Sequence, residues 1–336
     1  MLRSVHIENF RALREFRMSG LGRVNLLVGT NNCGKTSILE AIHILAERGD
    51  AEPAVTMLAR RRETVGSSAE LRHLVNGHRL VDGPLFAVAG ATDAGTERVE
   101  VSLGEAGSWS GEKPSAVATF SWSCGDEYWS SELPLGRGGL VLERPPRLEE
   151  ERPRVAFVPV TGLPHQQILN IVDAAVLTPD ESLILKAMQT VEADVERIAT
   201  VGSNADASNG RGVVMMVARD RIPAGSMGDG VLRLLGLAGA LVQARGGVFL
   251  VDEIDGGLHY TVLTKMWRLV CEAAKQLDVQ VFATTHSRDC YEALAEVAAQ
   301  ERHDLSLQRV ERGRQDAIAF SESELRLVGE RGLEVR

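Results

Sequence analysis

The chain has no pair of cysteines at metal or redox spacing. Its four cysteines, Cys33, Cys124, Cys271 and Cys290, stand alone, so reduced thiols are expected rather than a zinc site or a disulfide framework. No apolar run approaches the ~18 residues needed to cross a bilayer. Met1–Ile7 alternates like a strand and lacks the apolar core of a signal peptide. A cytoplasmic protein is therefore expected, and a membrane-spanning transporter subunit is not. Basic charge is not in excess either: 37 Lys and Arg face 46 Asp and Glu, a net charge of −9. Duplex binding draws on phosphate neutralisation, so DNA binding by the chain alone is not favoured, although a local basic patch stays open. Internal repeats, long heptad arrays and low-complexity tails are also missing. What is present is an ordinary globular composition, 44% hydrophobic and 25% charged over 336 residues. That supports one large core, or a core with a smaller lobe.

The most informative stretch is Gly29-Thr30-Asn31-Asn32-Cys33-Gly34-Lys35-Thr36. It has the spacing G-x-x-x-x-G-K-T, between the apolar run Val24–Val28, read as a strand, and a helix expected over about Lys35–Ala46. Glycines let backbone N–H groups wrap a phosphate, and the helix N-terminus adds positive potential. Lys35 would reach β- and γ-phosphates, and the Thr36 hydroxyl would ligate Mg²⁺. The bland alternative is a glycine-rich turn that contains a lysine.

Val248-Phe249-Leu250-Val251-Asp252-Glu253 reads as a buried parallel strand ending in two carboxylates, where open α/β sheets bind ligands. Asp252 would hold Mg²⁺ through water, and Glu253 would orient or deprotonate the attacking water. Val281-Phe282-Ala283-Thr284-Thr285-His286 is a second buried strand, ending in a histidine able to reach the γ-phosphate or that water. Taken alone, His286 could equally be structural. Gly225-Ser226-Met227-Gly228-Asp229-Gly230 opens a very apolar helix and reads as a second anion site. One triphosphate needs only one such site, so the second is expected to act in trans. An ordinary helix cap is the alternative.

Between these motifs the reading is coarser. Residues 1–28 read as two strands, Leu2–Glu8 and Val24–Val28. Arg60–Arg62 is a basic run, with a solvated face as its default meaning, and Gly66-Ser67-Ser68 a loop. Residues 81–160 read as an antiparallel β subdomain. Its Trp109, Trp122 and Trp129 are expected to pack rather than stack on bases. Arg144–Arg147 and Glu149–Glu151 read as an exposed connection before a strand at Arg154–Val160. Residues 162–205 read as helical, with Leu183, Ile184, Met188, Val191, Val195 and Ile198 on one apolar face. Ser203–Arg211 reads as a loop and Val213–Val217 as a strand. After His286 the expectation is a helix at Arg288–Gln300, strands at Leu305–Glu311 and Asp316–Ser321, and a short tail.

In this order, the motifs resemble the ABC-type ATPase head of the SMC/RecF/OLD superfamily (OLD: overcoming lysogenization defect). The likeness is greatest to the small bacterial OLD-like AAA proteins, the AAA_15 and AAA_21 groups, that lack a Toprim domain. Ile7-Glu8-Asn9-Phe10-Arg11 resembles their first strand, Gly29–Ser37 their GxNNCGKTS loop, and Ser226–Gly230 their divergent signature. Asp255-Gly256-Gly257-Leu258-His259 resembles the D-loop, and His286 the switch histidine. The resemblance covers essentially the full length.

It implies an α/β fold: a P-loop NTPase with a mixed, mostly parallel sheet flanked by helices, an antiparallel β subdomain and an inserted helical lobe. Within a single 1–336 domain it implies lobe I at 1–160, a helical insertion at 161–212 and lobe II at 213–336. Asn31, Asn32, Cys33, Gly34, Lys35, Thr36 and Ser37 would line the nucleotide. Arg11 would touch it, or merely cap the sheet edge. Gln166 or Gln167 would supply the glutamine loop and a further contact to the metal, or only start a surface helix. Glu253, His286 and Lys35 would be catalytic. Ser226, Gly228, Asp229 and Gly230 of a second copy would complete the site, in an ATP-dependent homodimer that hydrolyses ATP with Mg²⁺. Toprim needs roughly a hundred residues and only 50 follow His286, so this chain should not itself cut DNA by that chemistry. A separately encoded effector, such as a Toprim-like nuclease, in phage defence or DNA processing is then expected. The alternatives are a RecF-like DNA-binding clamp and a non-hydrolysing nucleotide sensor.

Overall fold

A computed structural model describes residues 1–65, 68–105, 116–135, 154–202 and 211–331. Trp109, Arg144–Arg147, Glu149–Glu151, Gly66, Ser67 and most of the Ser203–Arg211 stretch lie outside the described residues. The chain runs β1 (Leu2–Phe10), β2 (Leu13–Ser19), β3 (Val24–Val28), α1 (Lys35–Ala46), α2 (Glu52–Arg60), β4 (Thr64–Val65) and β5 (Ser68–Ala69). It continues β6 (Gly83–Thr92), β7 (Gly95–Gly104), β8 (Ala116–Cys124), β9 (Glu127–Leu135), β10 (Val155–Val158), α3 (His165–Ala175) and α4 (Pro179–Gln189). Next come β11 (Val195–Val201), β12 (Gly212–Val217), β13 (Asp220–Pro223), α5 (Asp229–Gln243), β14 (Val248–Val251), α6 (Tyr260–Gln276) and β15 (Gln280–Thr285). The chain ends with α7 (Arg288–Gln300), β16 (Leu305–Arg309), β17 (Ile318–Ser321) and α8 (Glu322–Arg331). The α/β class and the antiparallel subdomain agree with the sequence reading.

The chain divides into two compact units. The first holds Met1–Gly22, Gly29–Pro153 and Gln308–Ala319. Its sheet has the order β2-β1-β6-β7-β8-β9, with neighbouring strands antiparallel. Helix α1 packs on it through Ile38, Leu39, Ile42 and Leu45, all fully buried. The approach is close because β6 carries Gly90, where a Cβ would lie 2.9 Å from the Leu45 side chain. Trp122 is buried opposite Trp129, which fits packing rather than base stacking.

The second unit holds Arg23–Val28, Arg154–Leu307 and Phe320–Arg336. The other six-stranded sheet has the order β10-β14-β15-β3-β16-β17, and β10, β14, β15 and β3 run parallel. Strands β3 and β15 are buried along their whole length, as the inner strands of a parallel sheet covered on both faces are. Helices α5, α6 and α7 share one apolar core with them, centred on Leu235, Phe249 and Trp267. Gly239 lets α5 meet α3, since a Cβ there would fall 2.1 Å from Ile171.

Three expectations need correction. Residues 1–28 form three strands, because Leu13, Phe16 and Met18 bury one face of β2 against β1. The helical reading through Val195 and Ile198 fails, since α4 stops at Gln189. Val195 and Ile198 sit instead on β11, with Ile198 paired to Met215 of β12, and their β-branched side chains suit that sheet. The C-terminal tail contains α8, which buries Leu325 and Val328. Ser321 and Glu324 cap it reciprocally, the Glu324 N–H donating to the Ser321 Oγ and the Ser321 N–H to the Glu324 carboxylate.

Candidate nucleotide site

In the first unit the loop after β3 has the backbone that its glycines suggest. Gly29 has φ 154 and a Cβ on it would lie 2.3 Å from the Val310 carbonyl oxygen, so no side chain fits. Gly34, at φ 107, turns the chain into α1 and offers no side-chain cap to the first-turn N–H groups. An uncapped helix start of this kind is suited to an anion. Lys35 is buried, and its Nζ donates to the carbonyls of Gly29 at 2.8 Å and Thr30 at 3.1 Å. The lysine is thereby fixed to the loop it serves. Asn31 and Asn32 are exposed, Cys33 and Ser37 buried, and Thr36 half-buried.

Arg11 is held by two carboxylates of this unit. Its Nε lies 2.6 Å from Glu40, its Nη1 donates to Glu63 at 3.0 Å, and Arg61 pairs with Glu40 from the other side. Glu40 is a buried carboxylate on α1. Burial pushes its pKa up while Arg11 and Arg61 oppose the shift. Arg11 and Arg61 are thus engaged in an ionic cluster on the phosphate-loop helix; in the basic run Arg60 is half-buried and Arg61 and Arg62 are exposed.

In the second unit the parallel strands end together. Val251 registers with Ala283, and Thr285 with Val28. Asp252 is 7% exposed, and its Oδ1 accepts a hydrogen bond of 2.6 Å from Thr284 Oγ1. Glu253 has φ 50, a left-handed conformation that costs a non-glycine residue about 1–3 kcal/mol. Its carboxylate lies 2.6 Å from His286 Nδ1, which is the donor because a carboxylate only accepts. Thr285 Oγ1 donates to Asp255 Oδ1 at 2.6 Å. Asp252, Glu253, Asp255 and His286 are therefore brought together at the C-terminal ends of β14 and β15.

Arg233 was missed by the sequence reading. Buried on α5, it donates to the carbonyls of Pro159 (2.8 Å), Asp252 (2.9 Å) and Glu253 (2.7 Å). Burial pulls its pKa down, and the carboxylates of Asp255, Asp252 and Glu253 oppose that shift. A charged residue inside Val231-Leu232-Arg233-Leu234-Leu235 was the available signal, since such a run buries charge only with partners. Thr284 and Thr285 were also missed; two hydroxyls ending an apolar strand were the cue.

The signature segment lies in the same unit. Ser226, Gly228 and Asp229 are exposed, and α5 begins at Asp229 with no side-chain cap. Gly228 takes φ 99, and a Cβ on Gly230 would sit 3.0 Å from the Gly257 carbonyl of the D-loop. Gln166 and Gln167 are exposed in the first turn of α3, where Gln166 Nε2 donates to Asn170. Thr36 and Asp252 offer hard oxygen donors of the type Mg²⁺ takes. All four cysteines are free, and burial pushes the Cys271 thiol up to about 12.

Residues 1–77 match the AAA ATPase domain family, and residues 204–289 match the family described as AAA domain, putative AbiEii toxin, Type IV TA system. An ATP/GTP phosphatase of Helicobacter pylori is 20% identical over 88% of this chain and 88% of its own. A DNA replication and repair protein RecF of Acinetobacter baylyi is 32% identical, over 26% of this chain and 27% of its own. An uncharacterized Methanocaldococcus jannaschii protein is 48% identical over 42 residues, only 19% of its length. Among solved structures, an SMC head bound to the C-winged helix domain of ScpA gives a TM-score of 0.52 at 15% identity, covering 95% of this chain and 98% of that one. An SMC head with an extended coiled coil, bound to a ScpA C-terminal domain derived from Pyrococcus furiosus, gives 0.53 at 12% identity, covering 98% of each. Together the two family matches support an ATPase, and the shared fold is that of the SMC-type ATPase heads.

Proposed function

We propose that this ATPase closes head-to-tail on a second copy around ATP and that the closed dimer controls a separately encoded effector in phage defence or DNA processing. Lys35, with the loop N–H groups of Asn31–Ser37, binds the phosphates. Bound Mg²⁺ would neutralise charge on the β- and γ-phosphates, and Thr36 and, through water, Asp252 are the oxygens that suit it. Gln166 or Gln167 is the candidate glutamine-loop residue. Glu253 takes the proton of the attacking water. His286, hydrogen-bonded to that carboxylate, keeps it oriented.

The observation that carries the dimer is the signature segment. Ser226, Gly228 and Asp229 face solvent at an uncapped helix start, ready to receive a second copy's nucleotide. The partner reading draws support from the SMC heads solved with a ScpA domain and from the toxin-system description of the family matching residues 204–289. Direct DNA clamping is less favoured, given the net charge of −9 and the pairing of Arg61 with Glu40.

The test is light scattering after size exclusion, with ATP turnover measured in parallel. Glu253→Gln should lower turnover by about 10²–10⁴-fold, the worth of a general base, and accumulate an ATP-bound dimer. Ser226→Arg should bind ATP and stay monomeric. Equal dimerisation of wild type and Ser226→Arg sinks the trans arrangement. For the effector, capture from the native host that recovers no partner, with unchanged phage sensitivity on deletion, sinks that part.

A further inference from the structure

Thr284 makes more contacts to the strand-tip residues than any role yet assigned to it requires. It is the penultimate residue of β15 and fully buried. Its hydroxyl donates to Asp252 Oδ1 at 2.6 Å and accepts from the Glu253 N–H at 2.8 Å. Its own carbonyl accepts from the Ile254 N–H at 3.0 Å. One residue of the neighbouring strand therefore binds three consecutive residues, Asp252, Glu253 and Ile254. The direction of each bond is forced. A hydroxyl has one proton, a carboxylate can only accept, and a backbone N–H can only donate. The proton must go to Asp252, and the lone pair to Glu253.

We propose that Thr284 is a positioning residue for hydrolysis: its hydroxyl sets the Asp252 carboxylate and holds the left-handed turn that presents Glu253. This rests on the roles given above to Asp252 and Glu253. A non-glycine residue at φ 50 is unfavourable and persists only where its surroundings fix it. Thr284 fixes the turn through the Glu253 N–H, and Arg233 fixes it through the Asp252 and Glu253 carbonyls. The side chain thus acts through the Asp252 carboxylate and the Glu253 backbone rather than on the substrate itself. The adjacent Thr285 spends its hydroxyl proton on Asp255, so the two hydroxyls serve different carboxylates and cannot replace one another. Misplacement of a catalytic group by about 1 Å can cost 10²-fold in rate.

The experiment compares Thr284→Val, which keeps the shape and loses both hydroxyl bonds, with Thr284→Ser, which keeps the hydroxyl and loses the methyl. Turnover, KM for ATP, the Mg²⁺ concentration at half-maximal rate and the melting temperature are measured on the full chain. Thr284→Val should lower kcat by roughly 10- to 100-fold, the worth of a hydrogen bond to a charged group. It should also raise the Mg²⁺ requirement, with KM for ATP little changed. Thr284→Ser should restore most of the rate. If Thr284→Val melts too low to assay, Thr284→Ala against Thr284→Ser carries the same comparison. Wild-type turnover in Thr284→Val overturns the proposal. So does a Thr284→Ser as slow as Thr284→Val, since packing of the methyl would then be what matters. Wild-type turnover in Glu253→Gln overturns the hydrolysis reading beneath it, which keeps the two failures apart.

Discussion

Replacing Arg233 by methionine removes the guanidinium that joins α5 to the tips of β10 and β14. Its bonds of 2.8, 2.9 and 2.7 Å reach the carbonyls of Pro159, Asp252 and Glu253. Each charge-assisted bond contributes about 1.5 kcal/mol or more, and each carbonyl left buried without a donor costs about 1–3 kcal/mol. Against this, methionine no longer buries a charge, and removing buried charge recovers some stability. The balance is a loss of about 2–4 kcal/mol. At roughly 2 °C per kcal/mol for a large domain, melting should fall by roughly 4–8 °C. Turnover should fall as well, because the Glu253 turn loses its carbonyl anchor. Arg233→Lys should lie between wild type and Arg233→Met, since an ammonium is a point donor and cannot span three carbonyls as a planar fork does. The assay is thermal and urea unfolding followed by circular dichroism, with steady-state hydrolysis on the same samples. An Arg233→Met protein within about 1 kcal/mol of wild type would refute the reasoning, because these bonds would then be no stronger than the water they replace.

Two further outcomes follow from other parts of the chain. Gly29→Ala should lose ATP binding, measured by fluorescent-nucleotide titration, and about 1–3 kcal/mol of stability, because the added methyl meets the Val310 carbonyl at 2.3 Å. His43, buried on α1, has its pKa lowered to about 3 by burial and by Arg60. The unfolded chain, with an ordinary value near 6.5, then binds the extra proton between pH 6.5 and 3. Stability therefore falls as pH drops through that window, by about 1.4 kcal/mol per unit at most. His43→Gln should flatten the slope in urea titrations at pH 5 and 7, and an unchanged slope would show that other groups set it.

Much of the site was legible because its chemistry is local. Gly29, Gly34, Lys35 and Thr36 lie within eight residues, and the limits of α1 coincide with those read from the sequence. The α7 helix was equally plain, since Ser287 caps it through the Cys290 N–H and its apolar spacing is regular. The misreadings share another cause. Val195 and Ile198 have an i, i+3 spacing that suits a helix; on β11 a register irregularity between Val195 and Arg197 interrupts the strand alternation, and pairing with Val217 and Met215 of β12 decided for the strand. Helix α8 is polar over most of its length and is defined by burying Leu325 and Val328, an event no local window shows.

The sequence by itself determined the phosphate loop, because phosphate wrapping needs particular residues a few positions apart. It also determined which strands end in acids and which in histidine. Tertiary structure alone decided what those ends do to one another. Asp252 and Thr284 are far apart in the chain and 2.6 Å apart in space. Arg233 reaches the carbonyls of Asp252 and Glu253 from a different helix, and Arg11 is committed to Glu40. Side-chain hydrogen bonds between separate elements depend on strand register and helix placement. Those are set by burial of the whole core, and no short stretch of sequence records them.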